Sequence, residues 1–191
     1  LEIMRGCPNR CRFCQAAANN LPLRWRTPEH ILELAEESYQ NTGYDELGLL
    51  SLSNSNYPEI IRLLTLLQEH FSPLRLNISM PSLRITPELE QLPAILSAVR
   101  KGGITLAPEA ATARMRRIIN KPIADKDIVN SALAAYRAGW NKIKTYFMVG
   151  LPGEQDVDVA AIAPLAERLS NLGRDAGKRP GNINVSVAPF I

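Results

Sequence analysis

Residues 142–150 read KIKTYFMVG, and their alternation decides the fold. Successive side chains of a strand point to opposite faces. Lys144 and Tyr146 therefore share one face, and Ile143, Phe147 and Val149 the other. The same split recurs along the chain. Arg75, Asn77 and Ser79 oppose Leu76, Ile78 and Met80 in LRLNISM (74–80). Thr105 and Glu109 oppose Ile104 and Leu106 in ITLAPE (104–109), and Asn184 and Ser186 oppose Ile183, Val185 and Val187 in INVSVAPFI (183–191). In ELGLLSLS (46–53), Ser51 and Ser53 are set against Leu50 and Leu52.

With LEIM at the start these make six strand segments, spaced by roughly 30 residues as in βα units. Helical patterns fill the gaps. Thr27-Pro28 caps the first helix, Ile31, Leu34, Ala35, Ser38 and Tyr39 form its stripe, and Gly43 follows its end. Pro58 opens a second helix, and Thr86-Pro87 a third, which Pro93 kinks and Gly102-Gly103 closes. Helical pieces follow over 112–119 and 125–139, and one over 156–172 contains Pro164. This order predicts a parallel sheet with right-handed crossovers. A doubly wound sheet would be apolar on both faces. Burying the polar face dry would cost several kcal/mol per unpaired group. The pattern therefore predicts an α/β fold: a partial (β/α)6 TIM-like barrel, with parallel strands, helices outside and a wet hollow. A closed eight-stranded barrel is packed with side chains instead.

The chain has 191 residues, 46% hydrophobic and 21% charged, consistent with one domain over 1–191. No apolar run is long enough to span a membrane, and no signal peptide is visible. The chain starts at Leu1 and ends in the apolar Phe190-Ile191, which predicts a segment of a longer protein. Net charge is +3. Arg5, Arg10, Arg12, Arg24 and Arg26 gather near the cysteines, with Arg114, Arg116 and Arg117 further on. Solvated loops and helix faces explain them, and a phosphate-facing rim is the alternative.

All three cysteines, Cys7, Cys11 and Cys14, lie in RGCPNRCRFCQ (5–15), directly after the first strand. An odd number in a chain of this size is no disulfide framework and points to reduced, cytoplasmic thiolate ligands. Structural zinc takes four protein ligands, so a zinc site would need His30 or His70, neither at finger spacing. A four-iron cluster fits better: three thiolates leave one iron open to an exogenous ligand. The alternative function is a non-enzymatic zinc-binding interaction module. About four irons and four sulfides per chain, against one zinc, separate the two.

C-x3-C-x2-C with Phe13 before the last cysteine, at the end of the first strand of a βα series, resembles the radical S-adenosylmethionine (radical SAM) superfamily. YFMVGLPGE (146–154) resembles the family's fifth-strand motif. The resemblance implies a [4Fe-4S] cluster on Cys7, Cys11 and Cys14. Its open iron would bind the amino and carboxylate groups of S-adenosylmethionine, which one electron cleaves to a 5′-deoxyadenosyl radical. It also implies an electron donor such as flavodoxin or ferredoxin. Cofactor contacts would come from Phe13, from Gly150, Pro152 and Gly153, and from Ser53, Asn54 and Ser55, where the family carries a Gly-Gly-Glu-like segment. Ser82 and Arg84 would hold the carboxylate, Glu109 the ribose or amino group, and Lys144 would pair with the carboxylate or Glu109. Helix capping, ordinary turns and a snorkelling lysine are the structural alternatives for these residues. No catalytic residue is assigned. LLSLS, SMPSLR, LAPEA and INK further resemble a subgroup with an N-terminal cobalamin-binding-type domain. Its members imply modification of RNA or another macromolecule, by methylation or methylthiolation. Ala17, Asn56, Ala111 and Ala113 depart from that subgroup's pattern.

Overall fold

A computed structural model describes residues 1–79, 104–177 and 179–191. Ser82, Arg84, Met80 and the expected third helix lie outside the described residues. In chain order the elements are β1 (Met4–Arg5), α1 (Ala16–Asn19), β2 (Arg24–Trp25), α2 (Pro28–Thr42), β3 (Glu46–Gly48), a 3-10 turn (Asn54–Asn56), α3 (Ile60–Phe71) and β4 (Asn77–Ser79). After these come β5 (Ile104–Glu109), α4 (Ala113–Ile118), α5 (Asp125–Arg137), β6 (Lys142–Val149), α6 (Asp156–Ala160), α7 (Ile162–Asp175) and β7 (Asn182–Pro189). None of the described helices is long and apolar enough to cross a membrane.

The chain divides into two compact units. Among the described residues the first holds 1–8 and 15–79. Thr27 caps α2 by accepting from the His30 N–H at 3.3 Å, and Gly43 closes it at φ 64°. The apolar stripes of α2 and α3 pack together over β4, with Ile31, Ala35, Leu63, Leu67 and Phe71 fully buried. β3 and β4 pair in parallel, and Ile3 and Leu50 extend the strand contacts by hydrogen bonds at 2.8–3.0 Å. The parity expected for 46–53 is corrected. Leu50 and Leu52 are 57% and 50% exposed, whereas Ser51 and Ser53 are buried beside Leu47 and Leu49. Apolar residues stand on both parities here, and the serines are burial-competent because each hydroxyl has a partner: Ser51 donates to Asn54 at 2.5 Å and Ser53 to Asn56 at 2.7 Å.

LEIM makes short strand contacts, with Glu2 in a parallel bridge to Leu50. Met4 and Arg5 pair antiparallel with Trp25 and Arg24 in a two-residue ribbon that the alternation does not reveal. Gly6, next to Cys7, has φ +94°, and a Cβ there would lie 2.6 Å from the backbone oxygen of Asn20. The rigid neighbour is backbone, so it cannot turn aside. Gly6→Ala is expected to destabilise the protein by about 2 kcal/mol or more. Thermal unfolding reads this as a Tm lower by roughly 4–8 °C, and an unchanged Tm would refute the close approach.

The second unit holds 9–14 and the described residues from 104 onward. β5, β6 and β7 form a parallel sheet with β6 in the centre. The predicted alternation holds for β6: Ile143, Thr145 and Phe147 are buried and Lys142 and Lys144 exposed. β5 alternates likewise, with Ile104, Leu106 and Pro108 buried. β7 is an edge strand, and its Val185 and Val187 are exposed. α5 packs against β5 and α7, and α7 against β7. The helix expected over 156–172 is two helices meeting at Ala161. Pro164 sits in the first turn of α7, where its missing N–H costs no helical bond.

Candidate functional site

In the second unit, the loops after β5 and β6 meet the cysteine loop. Cys11 and Cys14 bracket a tight turn in which the Cys14 N–H donates to the Cys11 carbonyl at 3.1 Å. Three bonds fasten this turn to the end of α4. The Arg12 N–H donates to the Ile119 carbonyl at 2.9 Å, the Arg12 guanidinium donates to the Ile118 carbonyl, and Asn120 Nδ2 donates to the Arg10 carbonyl at 2.6 Å. Asn120 adopts φ +54°, a conformation asparagine tolerates better than most residues. Phe13 packs against the buried cluster of Ala110, Met115, Ile119 and Leu151. The ring and the three bonds thus fix the cysteine turn from below and from the side.

Glu109 ends β5 at φ +67°, beyond a bulge that separates Leu106 from Glu109 in the pairing with β6. Its carboxylate accepts from Lys121 Nζ at 3.0 Å, and both side chains are largely buried. Of the two partners expected for Lys144, the methionine carboxylate or Glu109, the second is taken by Lys121. Lys144 is exposed and lies over the Tyr146 ring, 4.9 Å from its centroid. One three-residue stretch, Ile119–Lys121, therefore touches both the cysteine turn and the acidic group.

The loop after β6 carries Gly150, Pro152 and Gly153. Gly150 has φ +83°, and its N–H donates to Glu154 Oε2 at 2.5 Å. Arg114 of α4 donates to the Gly153 carbonyl at 3.1 Å and to Asp158. Asp158 also accepts from the Thr112 hydroxyl at 2.5 Å. The Thr112 hydrogen bond, aided by Arg114, holds the Asp158 carboxyl below the usual carboxylate range. These bonds tie the loop after β6 to the loop after β5.

In the first unit, Asn54 is fully buried: it accepts from Ser51 and donates through Nδ2 to the Leu49 carbonyl at 3.0 Å. Ser53 is buried in the same network, and Ser55 lies half-buried on the 3-10 turn. Cys7 belongs to this unit and Cys11 and Cys14 to the other. None of the three thiols is in a disulfide; Cys7 and Cys11 are half-buried and Cys14 is exposed.

In donor chemistry alone, three thiolates are of the kind that hold an iron–sulfur cluster, whose irons each take a separate thiolate. Among the described residues no three His, Cys, Asp or Glu side chains stand together as ligands of a single ion. The histidines weighed for zinc are engaged elsewhere: His30 contacts Glu33 at 3.3 Å and His70 contacts Glu36 at 2.6 Å.

Sequence reasoning named the cysteines and Glu109 as candidates but did not anticipate the contacts of Asn120 and Lys121 or the Arg114–Asp158 pair. The quoted INK segment was the available signal, because an asparagine just past a short helix is suited to a left-handed turn.

The sequence model of the Radical SAM superfamily matches residues 1–166. The uncharacterized protein MJ0966 of Methanocaldococcus jannaschii is 37% identical over 191 residues, covering 100% of this chain and 40% of that protein. A ribosomal protein uS12 methylthiotransferase, RimO of Pelotomaculum thermopropionicum, is 32% identical over 169 residues, covering 83% of this chain and 37% of the enzyme. The chain thus spans about two fifths of the length of the curated relatives it matches. Among solved structures, the radical S-adenosylmethionine methyltransferase TsrM of Kitasatospora setae, with cobalamin and a [4Fe-4S] cluster bound, superposes with a TM-score of 0.73 at 14% identity, covering 98% of this chain and 36% of TsrM. The cobalamin-dependent radical enzyme OxsB gives 0.65 at 12% identity, covering 87% and 26%. At these identities the likeness is one of fold: the partial-barrel radical SAM core, with parallel strands and flanking helices.

Proposed function

Because this chain belongs to the Radical SAM superfamily, a class of enzymes, we propose that it is the core domain of a larger enzyme that modifies RNA or another macromolecule by methyl or methylthio transfer. Cys7, Cys11 and Cys14 would hold a [4Fe-4S] cluster. When bound, the cluster and S-adenosylmethionine supply one-electron cleavage of a carbon–sulfur bond and, with it, a 5′-deoxyadenosyl radical. The observation that carries this reading is the anchoring of the Cys11–Cys14 turn onto Ile118, Ile119 and Asn120, beside the Glu109–Lys121 pair.

The chain's own residues would position the cofactor and keep water out. Phe13 seals the base of the cysteine turn against Met115 and Leu151. Glu109 offers a fixed acceptor to a ribose hydroxyl or an ammonium. Gly150, Pro152 and Gly153 let backbone approach the adenine. Asn54 stiffens the turn that presents Ser53 and Ser55, and Ser82, Arg84 and Lys144 complete the set for the methionine carboxylate. A flavodoxin- or ferredoxin-type donor would supply the electron, cobalamin would come from a domain outside 1–191, and the setting would be cytoplasmic. Transfer to a macromolecule is supported by the name of one relative, a methylthiotransferase acting on a ribosomal protein. Methylthio transfer would need a second cluster, and all three cysteines of this chain belong to the first.

The test is anaerobic reconstitution of the full-length protein, reduction, and measurement of 5′-deoxyadenosine from S-adenosylmethionine. Cluster-loaded protein that yields none overturns the proposal. Glu109→Gln keeps an acceptor for Lys121 while removing the charge. It is expected to weaken S-adenosylmethionine binding about tenfold or more, with iron content unchanged. Equal affinity in a titration would remove Glu109 from the site.

A further inference from the structure

We propose that the β1–β2 ribbon is a contact site for single-stranded RNA, in which a base stacks on Trp25 and the adjoining phosphate is held by Arg24. The inference rests on the RNA branch of the function proposed above. The ribbon lines a shallow cavity of about 190 Å³ together with Ile3 and Glu2, whose carboxylate is taken up by Arg5; Arg24, Trp25 and Arg26 complete the lining. That is room for one base or phosphate rather than for a whole cofactor.

Three features of the ribbon point to an anion. Arg5 and Arg24 are direct cross-strand partners, an arrangement of like charges that a sheet pair normally disfavours. Glu2 bonds directly to only one of them: it takes Arg5 in a two-point ion pair, Oε1 accepting at 3.0 Å and Oε2 at 2.6 Å, and it acts on Arg24 only through space. Arg26 is spent on the Glu2 carbonyl. Arg24 is exposed, and its guanidinium makes no hydrogen bond or ion pair among the described residues. Beside it Trp25 is 52% exposed, although its cross-strand partner Met4 is buried. An exposed guanidinium with no hydrogen-bonded partner next to an exposed indole is the combination that reads single strands: the ring stacks on any base and the cation takes the phosphate. An acidic peptide would satisfy Arg24 but leaves the flat, exposed indole without a purpose, so RNA is the better match.

The test uses the full-length protein and fluorescein-labelled oligouridylate and oligoadenylate of about twelve nucleotides, with binding followed by anisotropy over a salt series. Trp25→Ala is expected to weaken binding about fivefold or more, and Trp25→Phe to restore most of it. Arg24→Gln is expected to weaken binding of both oligomers alike and to reduce the salt slope by about one. Because Trp25 and Arg24 are solvent-facing, both variants should keep the native Tm and 5′-deoxyadenosine formation. If the wild type binds either oligomer and both variants bind equally well, the ribbon is not the contact. If an acidic peptide binds and no oligonucleotide does, the partner is a protein and the proposal falls. In either case retained S-adenosylmethionine cleavage leaves the enzymatic reading standing, whereas its loss in the wild type would refute that reading separately.

Discussion

Cys11→Ala is expected to remove essentially all of the reconstituted cluster's visible absorbance and, with it, all 5′-deoxyadenosine formation. Thiolates are the protein's only hold on such a cluster, and three leave no spare. The fold should survive the change. Cys11 is half-buried, and the turn's three bonds come from Arg10, Arg12 and their partners, not from a thiol. Iron and sulfide analysis after anaerobic reconstitution gives the first readout, and circular dichroism the control. A variant that keeps about four irons per chain and still cleaves S-adenosylmethionine would mean that the ligands are elsewhere.

Arg116→Met is expected to lower stability by about 3 kcal/mol, which for a domain of this size is a Tm drop of roughly 6–12 °C. Arg116 is fully buried. Its Nε donates to the Ile123 carbonyl at 2.8 Å and one Nη to the Ala110 and Ala111 carbonyls at 3.1 and 2.7 Å. Its other Nη meets Asp125. Asp125 is 62% exposed, so the ion pair itself contributes little. The cost comes from three carbonyls left without a donor. Arg116→Lys should recover only a fraction, because an ammonium cannot reproduce the planar fork. A Tm within about 2 °C of wild type would show the carbonyls finding other partners.

Arg116 also marks a limit of sequence reasoning. Clustered with Arg114 and Arg117, it reads as part of a solvated helix face. What buries it is a set of backbone carbonyls at the β5–α4 turn and before α5, and carbonyls have no sequence signature. The fold class was legible because side-chain alternation is local, and it matches the burial throughout β5 and over 142–147 of β6. It misled in 46–53, where leucines occupy both parities and the outcome depends on which serines find partners. It missed the β1–β2 ribbon because two residues per strand carry no period. At the candidate site, spacing alone singled out the cysteines as candidate donors. The Glu109–Lys121 pair was not legible, because it depends on how the chain returns after α4.

Leu106 faces Thr145 and Glu109 faces Phe147, so β5 spends one residue more than β6 over that interval. Deleting either Ala107 or Pro108 would make the ladder continuous and rotate the acidic side chain toward the helix-covered interior now taken by Pro108. Every side chain named in the site would still be present in such a chain, yet its carboxylate would be sealed away from any ligand. The rim therefore owes its acid to residue count as much as to residue type, and a homologue shortened by one at that spot should be examined for an acid supplied from another strand.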